Sequence, residues 1–185
     1  MTVAFRCAVP HIQRDQTPEV IAMPAIDPRR MSAQIEGDFV VFLIGLRINV
    51  WHKPHKWWPA LMAMPRMLAE LDARPVAETG FLGHNGLNRH CIVQYWRSFD
   101  HLESYARAPD RAHFPAWTAF NARMKTSRGD VGIWHETYLV RAGDFEAIYS
   151  GMPPYGLGRV AERVPATGSR NAARDRLRTT APTQD

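Results

Sequence analysis

What most limits the folds open to this chain is the order in which its hydrophobic period changes between Asp38 and Arg141. Phe39-Val-Val-Phe-Leu-Ile-Gly-Leu46 and the residues on to Val50 are apolar and β-branched, which reads as a buried central strand. Over 57–72 the period lengthens. Trp57, Leu61, Met64, Leu68 and Leu71 recur at spacings of four and three, with Arg66 and Glu70 opposite them as an i,i+4 pair, the pattern of an amphipathic helix. Pro59 suits its first turn, whereas Pro65 removes the donor to the Leu61 carbonyl and predicts a kink. Gly80–Gly83 and Arg89–Trp96 read as two strands, joined at Asn85-Gly86, a hairpin signal. Helices are expected over Phe99–Arg107, with Asp100 and Glu103 as a capping pair, and over Arg111–Met124 after Asp110 as N-cap. Val131–Val140 closes the series as a strand.

The order β-α-β-β-α-β predicts an α+β, ferredoxin-like domain: a four-stranded antiparallel sheet with helices on one face. Its other face would be bare. An uncovered sheet on a small domain is a large apolar patch, so a homodimer joined through the sheets, a dimeric α/β barrel, is expected. Residues 1–36, broken by Pro10, Pro18, Pro24 and Pro28, read as a partly ordered N-terminal arm, and 37–158 as the folded domain. Residues 159–185 contain no aromatic residue and read as a disordered basic tail, because they bury too little to offset ordering entropy.

That tail also explains the charge. Its six arginines against three acids supply +3 of the net +5, so the pI near 9.6 describes a tail more than a nucleic-acid-binding face. Cys7 and Cys91 stand far apart in no metal or redox spacing, which fits a reducing, cytoplasmic setting. The apolar run at 39–46 is far short of the roughly 20 residues that span a bilayer, so no membrane partner is expected.

Chemistry-bearing residues sort by strand parity. His135 shares a face of the last strand with Val131, Ile133, Thr137 and Leu139, while Trp134, Glu136, Tyr138 and Val140 share the other. Arg47, Asn49, Gln94, Trp96, Trp134, Glu136 and Tyr138 then read as one polar-aromatic face, either a dimer contact with Arg47 paired to Glu136 or a substrate surface. Parity alone leaves open which face lines a pocket. His113 sits on the apolar stripe of its helix with Trp117, Phe120 and Met124. If His135 faces that helix, two imidazoles meet in one cavity as base candidates; the plainer alternative is a pair of hydrogen-bonded core histidines. His52-Lys-Pro-His55 has ligand-like spacing but no second ligand pair, so it reads as a loop at a cavity mouth walled by Trp51, Trp57 and Trp58, and no metal is predicted. Tyr149 and Tyr155, flanking a Gly- and Pro-rich loop, are candidate caps of that cavity. GxGxxG, P-loop, GxSxG and HExxH motifs are absent from the sequence.

Several stretches carry a resemblance: Ile48-Asn-Val-Trp-His-Lys-Pro-His-Lys-Trp-Trp-Pro59, Gly80-Phe-Leu-Gly83, Tyr95-Trp-Arg-Ser-Phe99, His113-Phe-Pro-Ala-Trp117, Gly129–Tyr138 and Met152-Pro-Pro-Tyr-Gly-Leu-Gly158. Over about 38–158 the chain resembles the DUF4188 group, monooxygenase-like proteins that include a fumagillin-pathway enzyme of the antibiotic-biosynthesis-monooxygenase type. Gly151 stands where relatives carry Asn before Met-Pro-Pro. The resemblance implies the dimeric α/β-barrel fold and an oxidoreductase of secondary metabolism that acts with dioxygen on a small hydrophobic substrate, without a cofactor. His135, His113 and His52 would then be catalytic bases, with Asn49, Trp96, Trp117, Trp134, Glu136 and Tyr138 binding substrate. Two alternatives stand beside it. One is a non-catalytic dimeric binder of apolar metabolites. The other is a haem enzyme of the aldoxime-dehydratase or peroxidase type with His113 as axial ligand.

Overall fold

The computed structural model describes residues 24–88, 90–125 and 129–179. In chain order they form β1 (Asp27–Gln34), β2 (Phe39–Ile48), α1 (Pro54–Asp72), α2 (Val76–Thr79), β3 (Phe81–Asn88), β4 (Cys91–Trp96), α3 (Phe99–Arg107), α4 (His113–Met124), β5 (Val131–Val140), β6 (Tyr149–Met152), β7 (Glu162–Pro165) and α5 (Ala173–Thr179). Residues 1–23 of the expected arm and 180–185 of the expected tail lie outside this set, as does Cys7.

The β-branched run becomes β2, and its continuous apolar character has a direct cause. It pairs antiparallel with β4 on one side and β5 on the other, and its side chains enter two different cores. The sheet order is β3-β4-β2-β5, the ferredoxin-like arrangement that the periods predict. On one face Val40, Leu71, Phe81, Trp96 and Leu102 form a core beneath the helices. Trp96 is fully buried, with its ring edge-on to Phe81 at 5.0 Å and its indole N–H donated to Gln94 Oε1 at 3.1 Å. Burying an indole satisfies the core only if its one polar atom is bonded, and Gln94 does that from the same strand.

The opposite face is not bare. A second, three-stranded sheet, β6-β1-β7, lies over it, and Phe39, Val93 and Tyr95 pack there against Ala33 and Leu157. Phe145 meets Phe39 edge-on at 5.0 Å in the same core. This corrects the reading of an uncovered sheet. Only the β5 end remains open, where Trp134 and Tyr138 are 41% and 50% exposed.

Apart from β6, the strands of the covering layer come from the two segments that composition marks as poorly ordered. β1 comes from the expected arm, and β7 and α5 from the expected tail. Composition misses them because their order is borrowed. β7 pairs with β1 through its backbone, Ser32 opposite Val164 and Gln34 opposite Glu162, which needs no aromatic residue. Arg176 closes the segment from inside: it is 4% exposed, donates from Nε to Glu146 at 2.8 Å, and donates from Nη1 to the carbonyls of Arg170 and Asn171 at 3.0 and 2.7 Å.

Four local expectations also change. β3 runs straight through Asn85-Gly86, and the hairpin turns after Asn88, whose side chain accepts from the His90 N–H at 2.8 Å. α1 begins at Pro54, earlier than the period suggests, and continues through Pro59 and Pro65. Ser98 rather than Asp100 caps α3, accepting from the His101 N–H at 3.3 Å, and α4 starts at His113 without a side-chain cap of its own. Replacing Arg176 by Ala removes a buried charged donor from Glu146 and from two backbone carbonyls and is expected to cost about 2 kcal/mol. Urea unfolding measures this; faster trypsin cleavage after Arg174 should accompany it, and an unchanged cleavage rate would contradict the assigned role.

Candidate functional site

α4 packs chiefly on α1 and α3 rather than on the sheet. Between these helices and the face of β2, β4 and β5 lies a cavity of about 700 Å³. Its wall is mostly apolar, with Phe42 and Ile44 from β2, Met64 and Met67 from α1, and Trp117 and Phe120 from α4. A volume of this size suits a drug-sized organic molecule.

α4 buries only Met124, so its position is fixed by polar contacts at its ends. At its start, Glu70 Oε2 on α1 accepts from the Ala112 N–H at 2.9 Å and from the Tyr105 hydroxyl at 3.3 Å. The carboxylate thereby satisfies a helix N-terminus that has no cap of its own. Arg74 and Arg111 stand 4.0 and 3.8 Å from its other oxygen and balance its charge. At the far end Lys56 Nζ donates to the Arg123 carbonyl at 3.3 Å. Burial and the neighbouring Glu70 charge push the Tyr105 hydroxyl well above the usual tyrosine range, so it remains a donor.

Few polar groups reach the cavity. His113 Nδ1 lies 2.9 Å from the Ala106 carbonyl. A carbonyl only accepts, so Nδ1 carries the proton and Nε2 of the neutral ring is left with a free lone pair. His135 lies opposite Ile44, its ring 5.5 Å from that of Phe42, and makes no hydrogen bond among the described residues. His90 and Thr137 also line the wall. Glu103 and Arg107, at 2.8 Å from each other, form an ion pair on the α3 side.

His113, His135 and Trp117 are therefore brought to one cavity, and the other expected site residues are not. Trp96 lies in the solid core. Asn49 donates from Nδ2 to the Gly129 carbonyl at 2.8 Å and ties the end of β2 to the start of β5. His52 is exposed and does not line the cavity, in a loop anchored by Lys53 to Asp130 at 3.0 Å. Trp134, Glu136 and Tyr138 occupy the far face of β5, where the Tyr138 hydroxyl donates to Glu136 at 2.5 Å and is pushed up by it. The polar-aromatic face thus divides in two. Register places Gln94 opposite Phe42 and Trp96 opposite Val40, on the helix side, away from Trp134. Parity within each strand cannot see this, because the pairing between strands sets it.

Tyr149 and Tyr155 do not cap the cavity. The Tyr149 hydroxyl accepts from the Gly158 N–H at 2.9 Å and Tyr155 donates to the Gly86 carbonyl at 3.3 Å, both outside the cavity wall. His90, Thr137 and the methionines Met64 and Met67 are lining residues that sequence reasoning missed. The parity set of His135 already contained Thr137, and the helical stripe of α1 contained Met64. Among the described residues no three His, Cys, Asp or Glu side chains gather as a metal site.

Fold and site together define a ferredoxin-like α+β domain with an apolar, imidazole-bearing cavity between sheet and helices. A family profile described as Monooxygenase af470-like matches residues 39–157, and the chain belongs to that family. Monooxygenase af470 of Aspergillus fumigatus is 25% identical over 135 residues, covering 67% of this chain and 46% of that protein. Two solved aldoxime dehydratases share the fold at 17% identity. One, in complex with butyraldoxime, superposes with a TM-score of 0.57 over 75% of this chain and 42% of its own. The other gives 0.52 over 93% and 49%. The chain spans less than half the length of each of these proteins.

If Glu70 holds α4 in place, Glu70→Ala should destabilise the protein by about 1–3 kcal/mol, because it strands the Ala112 and Tyr105 donors. Glu70→Gln keeps an acceptor and should lose less. Denaturant unfolding compares the two, and equal, negligible effects would remove Glu70 from this role.

Proposed function

We propose that the chain is a monooxygenase that oxygenates a small hydrophobic molecule, of the secondary-metabolite kind, inside this cavity and without a bound cofactor. The observation that carries the reading is the pairing of an oriented imidazole, His113, with a second, unbonded imidazole, His135, in an otherwise apolar chamber. Membership of a monooxygenase-like family supports the reaction class.

The chemistry needs a base, dioxygen and exclusion of water. Nε2 of His113 or His135 accepts a proton from an acidic C–H or phenolic O–H of the substrate. The resulting carbanion reduces dioxygen. In the overall change a CH2 group becomes C=O, one oxygen atom enters the product and the other leaves as water, so the substrate supplies all four electrons. Apolar walls shield the anion and its oxygen adduct from protons other than those the imidazoles return. The uncovered end of β5, around Trp134 and Tyr138, is where a second copy would complete a homodimer.

His113 also favours a second reading. Its Nδ1 is anchored to a carbonyl and its Nε2 left free, the state of a metal-ligating histidine. His113 would then hold a haem iron, which supplies redox and Lewis-acid chemistry. A Soret band in freshly purified protein decides between the two.

Aerobic incubation with a panel of lipophilic, weakly acidic phenols and enolisable ketones tests the reaction by oxygen uptake and product mass under ¹⁸O₂. One labelled oxygen in the product is expected. His113→Ala or His135→Ala, whichever removes the base, should lower turnover about 10²–10⁴-fold. If both variants keep full activity, the base assignment fails. A ligand that binds tightly and is recovered unchanged in air would make the protein a binder.

A further inference from the structure

Residues 50–58, Val-Trp-His-Lys-Pro-His-Lys-Trp-Trp, contain three tryptophans, two lysines, two histidines and no acid. Tryptophan usually hides most of its surface, yet here Trp51 is 60% and Trp58 53% exposed. These indoles are held rather than loose. The Trp57 ring stands 5.7 Å from Trp51 and 5.8 Å from Trp58, and Trp57 Nε1 donates to the Trp51 carbonyl at 3.1 Å. Two large apolar rings fixed in water mark a contact surface.

The charge around them identifies the partner. His52 and His55 are exposed, and Lys56 reaches the C-terminal end of α4, where exposed Lys125 follows. Asp130, the acid in contact with this loop, is taken up by Lys53 at 3.0 Å. The patch is therefore aromatic and cationic, the combination that seats at the headgroup level of an anionic bilayer: indole bodies enter the acyl boundary while lysine and histidine meet phosphate.

We propose that residues 50–58, the turn before α1 and the first residues of that helix, are a membrane-surface anchor, docking the protein on anionic bilayers through Trp51 and Trp58. This differs from a span, and no helix among the described residues is long and apolar enough to cross a membrane. The location gives the anchor a use. The Trp51 ring is 6.2 Å from His90, which lines the cavity together with Ala60 and Leu61, the next residues along α1 after Trp58 and Pro59. An apolar molecule dissolved in the bilayer would thus meet the cavity edge without crossing bulk water. The proposal concerns binding of the protein and stands independently of the reaction.

Co-sedimentation of the full chain with vesicles of phosphatidylcholine, with and without phosphatidylglycerol, tests it. Binding to the anionic vesicles is expected, with a blue shift of tryptophan emission and weakening in high salt. Trp51→Ala/Trp58→Ala should lower partitioning about tenfold or more, since two exposed indoles lose their buried area, while the far-UV circular dichroism stays unchanged. Trp51→Gln/Trp58→Gln provides the same comparison should the alanine pair misfold. Val76→Ala, an exposed apolar side chain on α2 away from this patch, should bind as the parent does. Protein remaining in the supernatant, or equal losses in the Val76 variant, would overturn the proposal. A native mass that the double variant halves, without vesicle binding, would assign the patch to a second copy instead.

Discussion

The cavity is shaped by the polar ties that hold α4 over the sheet, with the Glu70 carboxylate at the start of that helix. α4 has no cap of its own and buries only Met124, while its apolar side chains Trp117 and Phe120 line the cavity rather than fill a core. Glu70 reaches across from α1 and holds its first turn, His113 clasps the end of α3, and Lys56 holds its last turn. A helix tied by its ends to two others is a roof rather than a core element. The space beneath it stays open because the walls are fixed by the sheet on one side and by α1 on the other. Each tie is worth about 1 kcal/mol, small beside the burial of Trp96, yet together they set the shape of the chamber.

The same ties orient the chemistry. The bond from His113 to Ala106 that steadies the start of α4 also fixes which ring nitrogen is free. Structural and functional roles therefore share a residue, and the plainer reading of His113 as a hydrogen-bonded histidine is compatible with its use as a base. The family match, residues 39–157, takes in every element that lines the chamber, from β2 to β5. β1 and β7, which cover the other face, fall outside the match.

The sequence and the structure agree where local period decides the outcome. β2, β5 and the helices α1, α3 and α4 were legible because burial on one face or two leaves a direct trace in residue order. The face relation between strands was not, and this cost Trp96 its expected role: within-strand parity is blind to register. Asn49 lost its role because it lies just past β2 and is taken up by the Gly129 carbonyl. The hairpin was misplaced because Asn85-Gly86 is accommodated within a strand, while Asn88 makes the turn through its side chain. The ordering of the tail depends on a β1 partner over a hundred residues away and on one buried arginine, neither of which composition reports. In the candidate site, His113, His135 and Trp117 followed from helical and strand spacing. His90 did not, because it reaches the wall from a turn where no period operates.

The most direct test of the central claim, that His113 and His135 face one apolar binding chamber, is NMR of the protein with ¹⁵N-labelled histidine during titration with 2-naphthol, a neutral apolar phenol. The account predicts that both ring resonances shift together and saturably, with exposed His52 unmoved, and that His113 shows the Nδ1–H tautomer before ligand is added. Shifts confined to His52, or no saturable shift at His113 and His135, would contradict it.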